Sequence, residues 1–249
     1  MSTKNKRIAI ITGGGSGIGL AIAEKFIGDG IQTVLVGRDQ NKLDAAKEKL
    51  GDLCFVNTCD LSDLPAIPGL IRSIVEQHGQ IDILVNNAGI NMKKDFTEVT
   101  DEEFQRIITT NLTSVFALSR EVVKQMLEQG HGSIINISSM AAQYGLPRVI
   151  AYSASKTAID GLTRAMAVEL SAKGIRVNAI APGFIVTAMT DTALNADPDR
   201  KARVIARTPM GHMGQPSDIG DAALFLAGDA AKFITGVILP VDGGNSIGF

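Results

Sequence analysis

Apolar and polar positions along the chain follow two alternating periods. Short β-branched runs at Arg7–Thr12, Gln32–Val36, Cys54–Cys59, Ile81–Asn86, Ser133–Ser138, Arg176–Ala181 and Val237–Val241 predict seven strands. Longer amphipathic stretches near 18–29, 40–50, 64–78, 101–128, 151–173 and 217–227 predict the helices between them. Several strands are apolar at every position, which is the pattern of a parallel sheet covered on both faces. Strand and helix in alternation, joined by right-handed crossovers, predict a doubly wound α/β sheet with helices on both sides. With no internal repeat, low-complexity tract or linker, residues 1–249 are expected to form one domain. Phe184–Gln215, with Pro198 and Pro209, is the least regular stretch and is expected to be a loop acting as a lid.

Composition narrows the class. The 249 residues are 45% hydrophobic, enough for a large core, and 24 Lys+Arg against 26 Asp+Glu leave a net charge of −2. That balance, with no basic run, argues against a nucleic-acid partner. Met1–Arg7 is polar, Ile8–Ile11 is too short for a secretory core, and no run approaches the roughly 18 apolar residues of a membrane span. Cys54 and Cys59 lie five apart in an expected strand, hence on opposite faces and not bonded to each other. His78, His131 and His212 show no ligand spacing, so no metal site is expected. A reducing cytoplasm is the simplest setting.

The first strand runs into Thr12-Gly13-Gly14-Gly15-Ser16-Gly17-Ile18-Gly19 and then into a helix. Glycines at 13, 17 and 19 allow a tight turn and close approach of backbone to a pyrophosphate at the positive helix end, which predicts dinucleotide binding. At this spacing the chain resembles the short-chain dehydrogenase/reductase family. Asn86-Asn87-Ala88-Gly89, Asp60-Leu61, Pro182-Gly183-Phe184-Ile185-Val186-Thr187 and Val241-Asp242-Gly243-Gly244 follow in the family's order, so the resemblance spans essentially the whole chain. It implies a Rossmann-type domain. It also implies cofactor contacts from Gly13, Gly15, Ser16, Gly17, Ile18 and Gly19, and from Asp60 and Leu61 at the adenine. Asn87, Ala88 and Gly89 follow, with Pro182, Gly183, Ile185 and Thr187 around the nicotinamide.

Two residues bear on which nicotinamide is bound. The family's NAD-preferring members end the second strand with a carboxylate; here that position is Gly37, followed by Arg38. A guanidinium suits a 2′-phosphate by charge and by its planar fork of donors, so NADP is favoured. Against it, Asp39 lies twenty residues past Gly19, near where a ribose acid is expected, and Ser16 stands where many NADP-preferring members carry a basic residue. NAD therefore stays open. Arg38 and Asp39 also have a plain reading, as the start of the second helix.

Of the two tyrosines, Tyr152 has Lys156 four residues on, on the same helix face. Tyr144 has Arg148 at that offset, but Pro147 between them opposes a helix. A free phenol titrates near 10, and an adjacent ammonium lowers that value; a shift of about three units takes roughly 4 kcal/mol. Ser139 lies thirteen residues before Tyr152, at the carboxyl end of the fifth strand, where open α/β sheets bind ligands. The resemblance implies that Ser139 orients the substrate oxygen, that Tyr152 is the proton donor or acceptor, and that Lys156 tunes it and holds the nicotinamide ribose. It further implies that Asn111 holds a water joining Lys156 to solvent. The expected activity is interconversion of a secondary alcohol and a ketone, with Asn111, Ser139, Tyr152 and Lys156 as the catalytic set.

Substrate choice falls to Ile90–Phe96, Met140–Arg148 and Phe184–His212. Lys93, Lys94 and Arg148 are candidate carboxylate or phosphate partners, though each also reads as solvated surface charge. The stretch 87–94 is similar to gluconate 5-dehydrogenases, and the carboxyl-terminal third to 3-oxoacyl-carrier-protein reductases. A sugar, polyol or sugar acid is expected, with a β-keto thioester as the alternative. A non-catalytic dinucleotide sensor is the other class, disfavoured because the tyrosine and lysine are both kept. Ala154, Ala158, Gly161 and Ala165 form a small-residue stripe that suits either sheet packing or a subunit contact. The resemblance implies a homotetramer, with the carboxyl-terminal segment ending at Phe249 in a second interface.

Overall fold

The computed structural model describes residues 7–188, 190 and 198–248. Within them, β1 (Ile8–Thr12), β2 (Gln32–Gly37), β3 (Cys54–Thr58), β4 (Ile83–Asn86), β5 (Gly132–Ile137), β6 (Ile175–Pro182) and β7 (Ile238–Val241) form one sheet in the order β3-β2-β1-β4-β5-β6-β7. Every pairing is parallel. The chain winds outward from β1 in both directions, the Rossmann-type arrangement, so the loops after β1 and β4 diverge and leave a crevice at the carboxyl ends of the strands.

Alternation along the strands divides the core into two layers. Ala9 and Ile11 of β1 face Ile22 and Phe26 of α1 (Gly17–Gly28), whereas Ile8 and Ile10 join Ile71 and Ile74 of α3 (Ile67–His78) on the other side. All five β1 residues are buried, which accounts for its unbroken apolar run. α2 (Gln40–Leu50) covers the β2–β3 edge. Gly220 of the last helix lets that helix approach α1 closely: a β-carbon there would lie 2.8 Å from the Ala21 carbonyl oxygen. This contact helps set the direction in which the amino end of α1 points.

All seven strands lie where the apolar runs place them, with ends shifted by one or two residues. β3 stops at Thr58, so Cys59 lies just outside it; both cysteines are free. The helix expected over 101–128 is interrupted: α4 (Asp101–Ile108) passes through a π-turn at Thr109–Thr113 into α5 (Ser114–Gln129). α6 (Ile150–Leu170) carries Tyr152 and Lys156. The stretch 184–215 is not irregular throughout, because Pro198–Arg207 forms α7 ahead of α8 (Pro216–Ala227). Pro198 had suggested a break, but at the first position of a helix proline's missing N–H costs nothing. The two ends of this excursion are pinned together: Val186 N–H donates to Gly214 O at 2.8 Å, and Gly214 N–H to Phe184 O at 3.0 Å. Residues 189 and 191–197, part of the expected lid, lie outside the described residues, as does Phe249.

Candidate active site

The glycine loop caps β1 and is tied down by the loop after β4. Gly13 and Gly17 take φ values of +65° and +56°, a region open to glycine at no steric cost. Gly19 is required for closeness instead, since a β-carbon there would fall 2.4 Å from Gly13 O and 2.6 Å from Asn87 Nδ2. Thr12 is the knot. Its hydroxyl accepts from the N–H groups of Asn87 and Ala88, both at 2.9 Å, and Asn87 Nδ2 donates to Thr12 O at 2.9 Å. Ser16 precedes α1 with no side-chain cap, so the first N–H groups of the helix keep their capacity to bind an anion.

Two adjoining cavities follow this loop and share Gly13, Ala88, Gly89 and Ile90. The larger, about 330 Å³, runs from Ser16, Gly17 and Ile18 to Tyr152, Lys156 and Thr187. The smaller, about 160 Å³, reaches Gly37, Arg38, Asp60 and Leu61. Arg38 and Asp60 form a loose, exposed pair at 3.9 Å. Hydrogen bonds from Ser62 hold the Asp60 carboxyl below the usual range, with a smaller contribution from Arg38. Asp39 caps α2, accepting from Lys42 N–H at 3.2 Å, so its plain structural reading is the one realised. Gly15 packs toward Lys42, and Pro182, Gly183 and Ile185 form the base of the excursion after β6.

The four candidate catalytic residues converge on the crevice from three elements. Ser139, just past the end of β5, lies beside the Tyr152 phenol, opposing the rise in its pKa, and accepts from Ala141 N–H at 3.1 Å. Lys156 is buried; its Nζ donates to Ile137 O at 2.7 Å and lies 5.6 Å from the Tyr152 ring centre. Asn111, buried in the π-turn, clasps the backbone of Ile90: Oδ1 accepts from Ile90 N–H and Nδ2 donates to Ile90 O, each at 2.8 Å. The extra residue of the π-turn explains how a mid-helix asparagine is aimed at a loop, a use typical of π-bulges.

Residues 13–246 match a family model described as enoyl-(acyl carrier protein) reductase. The chain belongs to the short-chain dehydrogenase/reductase family. It is 44% identical over 249 residues to 3alpha-hydroxysteroid dehydrogenase of Mediterraneibacter gnavus, with 98% of both chains covered. It is 38% identical over 238 residues to the 3-oxoacyl-acyl-carrier-protein reductase FabG of Haemophilus influenzae, covering 96% of this chain and 97% of that one. A solved structure from Beutenbergia cavernae, described as an NAD(P)-dependent gluconate 5-dehydrogenase with NADP at low occupancy, superposes with a TM-score of 0.90 at 39% identity over 96% of both chains.

Within this dehydrogenase/reductase framework, the electrostatics depart from the expectation of a depressed phenol. Burial raises the Tyr152 pKa above its ordinary value, and Ser139 only partly opposes that. Burial pushes Lys156 down to about 8, with Asp160 working in the other direction. Lys156 points its charge at the Ile137 carbonyl, 5.6 Å from the Tyr152 ring centre, and burial is the larger influence on both groups. For stability the sign follows. The unfolded lysine titrates near 10.5 and the folded one near 8, so between those values the unfolded chain binds more protons and stability rises with pH. Urea unfolding across this window is expected to show that rise in the wild type and a flatter profile in Lys156→Met.

Three residues that matter here carry no signal in a single sequence. Thr12 has the β-branched character of any strand end. Ser155 looks like filler within Tyr152–Lys156, yet it accepts from Asn111 Nδ2 at 3.2 Å. Asp160, one turn past Lys156, is buried and accepts from Ser138. Each acts through contacts between distant segments.

Proposed function

We propose that the chain is an NADP(H)-preferring oxidoreductase that interconverts a secondary alcohol and a ketone. The observation that carries this reading is the convergence of Ser139, Tyr152 and Lys156 at the end of a dinucleotide-sized crevice. A nicotinamide dinucleotide fits the residues present: a glycine turn that side chains would fill, an uncapped helix start, and a cavity reaching Arg38 at one end and Lys156 at the other. When bound it supplies the hydride. Gly13, Ser16, Gly17 and Ile18 hold its phosphates, Asp60 and Leu61 its adenine end, and Asn87, Ala88 and Gly89 its middle. Lys156, Thr187 and the Pro182–Ile185 turn lie at its reactive end.

Ser139 directs its hydroxyl at the substrate oxygen, and Tyr152, kept protonated by burial, donates its proton to the oxygen as negative charge develops there. Asn111 keeps the Ile90 backbone, and with it the cavity wall, in place. The described residues 184–188 and 198–215 border the substrate side of the crevice, and the chain acts as one nucleotide-binding and catalytic domain. The substrate is a sugar, polyol or sugar acid; the 38% identity to FabG favours a β-keto thioester as the second reading. Following loss of NADPH absorbance with 5-keto-gluconate and with acetoacetyl-CoA separates the two. Turnover of neither, nor of a wider carbonyl panel, would refute the oxidoreductase reading.

Cofactor preference has its own test. Gly37 has an ordinary φ, and a β-carbon there would meet Leu43 at 3.5 Å, normal contact distance, so Gly37→Asp fits without strain. Paired with Arg38→Ala it exchanges a phosphate partner for a ribose acceptor. Charge-assisted hydrogen bonds are worth about 1.5–3 kcal/mol, so the NADPH/NADH ratio of kcat/KM should fall about 100-fold or more in the double variant.

We also assign a homotetramer. Of the small-residue stripe on α6, Ala154, Gly161 and Ala165 are exposed and Ala158 is half-buried, beside Val168 at 86% exposure, which supports a subunit contact over sheet packing. The carboxyl-terminal tail carries exposed Ile247 for a second interface. Among the described residues no helix is long and apolar enough to cross a membrane. Two free cysteines suit a reducing cytoplasm.

A further inference from the structure

A second concave surface, separate from the dinucleotide crevice, is lined by five cations. A cavity of about 360 Å³ is bordered by Lys93, Arg148, Arg200, Arg203 and Arg207 around Tyr144 and Phe184, with no acidic lining residue among those described. The cations come from three stretches of chain that the fold brings together: the loop after β4, the loop after β5, and α7. We propose that this cavity is an anion-binding subsite that takes a carboxylate or phosphate carried by the substrate away from its reacting carbonyl. The proposal rests on the oxidoreductase reading for the identity of the ligand, but not for the existence of the site.

The placement of the arginines argues against a merely solvated face. Arg200, Arg203, Val204 and Arg207 occupy one face of α7, at spacings of three and four. Val204 is the buried residue of that helix, and the arginines flank it at the rim of the packed face, where they open into the cavity. Arg207 donates to Asn245 O at 3.0 Å and lies 4.3 Å from the Tyr144 ring centre, which fixes the floor of the cavity. Arg148 is the one described non-glycine residue at positive φ, +67°; its carbonyl accepts from Lys94 N–H at 2.8 Å and its side chain meets Asp95 at 2.8 Å. Backbone held in this region costs free energy and tends to occur where position matters. Asp95 answers Arg148, while Lys93 and Arg203 make no ion pair among the described residues. A concave surface of one sign concentrates ligands of the other.

The cavity is bordered by the loops that follow β5 and β6, which also lead from Ser139 and Gly183. Tyr144 ends the short turn that begins at Ser139 and touches Met140 Sδ at 2.7 Å, and Phe184 directly follows Gly183. A substrate oxygen at Ser139 and an anion among these side chains would lie along the same two loops. By contrast, Lys156 is the one cation among the residues lining the larger cofactor cavity.

The test uses the double variant Lys93→Gln/Arg203→Gln, two exposed residues outside the catalytic and cofactor sets. Wild type and variant are compared with NADPH on 5-keto-gluconate, on acetoacetyl-CoA and on the uncharged ester ethyl acetoacetate. The expected result is a loss in kcat/KM of about tenfold or more on an anionic ketone, with the ester changed less than about twofold. Loss on the keto acid identifies a carboxylate site, and loss on the thioester a phosphate site. Parallel change on all three, or no change on any, overturns the proposal. Should the wild type turn over none of them, the substrate reading falls separately, and titration calorimetry with D-gluconate and inorganic phosphate decides the subsite. Heat present in the wild type and lost in the variant supports it; no heat, or heat retained in the variant, overturns it.

Discussion

Tyr152→Phe is expected to lower turnover by about 10³–10⁴-fold while leaving dinucleotide binding within a few-fold of the wild type. The substitution removes one oxygen. The ring still fills its place above Lys156, 5.6 Å from the ammonium, and α6 loses no buried packing. What disappears is the proposed proton donor to the developing alkoxide, beside Ser139. Steady-state rates give the first quantity and NADPH fluorescence titration the second. Turnover within tenfold of the wild type would show that the proton comes from elsewhere; loss of both turnover and binding would mean that the residue acts on structure. A dinucleotide sensor, by comparison, would be indifferent to the change.

Gly19→Ala acts at the other end of the crevice and through sterics alone. The new methyl would stand 2.4 Å from Gly13 O and 2.6 Å from Asn87 Nδ2, and neither atom belongs to a freely moving side chain. Relief requires the glycine turn to lift from the loop after β4, breaking the Asn87 bonds to Thr12 O and Gly13 O. Overpacking of this kind costs about 1–3 kcal/mol, and a buried amide left unpaired costs a similar amount. Because bound cofactor must meet the undistorted turn, NADPH affinity should fall about 100-fold or more by the same titration. Far-ultraviolet circular dichroism should stay unchanged, since the strands behind the loop are not touched. Affinity within threefold of the wild type would show that the turn need not stay closed for binding.

The two variants probe features of unequal visibility. The glycine spacing, the Tyr152/Lys156 pair and the Ser139 offset are local patterns in which a residue type answers a local demand: positive φ, one helix face, a strand end. The clasp of Asn111 on Ile90 was only hinted at, because a π-turn depends on how two helical stretches are accommodated and not on their composition. α7 was missed because a proline and a run of charges resemble a loop until something apolar is found for Val204 to rest on. The burial of the Tyr152 phenol was not legible, because no local pattern tells how deeply a side chain packs. Nor does a local pattern name the carbonyl of Ile137, on a strand, as the acceptor that Lys156 meets.

What this sequence determines by itself is therefore its elements, their alternation, and the short motifs at strand ends, because hydrophobic period and glycine geometry act over a few residues. Tertiary structure decided the rest: that Thr12 ties two loops together, that most of the small-residue stripe is exposed, that burial is the larger influence on Tyr152 and Lys156, and that five cations scattered from Lys93 to Arg207 share one cavity. Electrostatic energy depends on distance and solvent exposure, and neither exists until remote segments have packed.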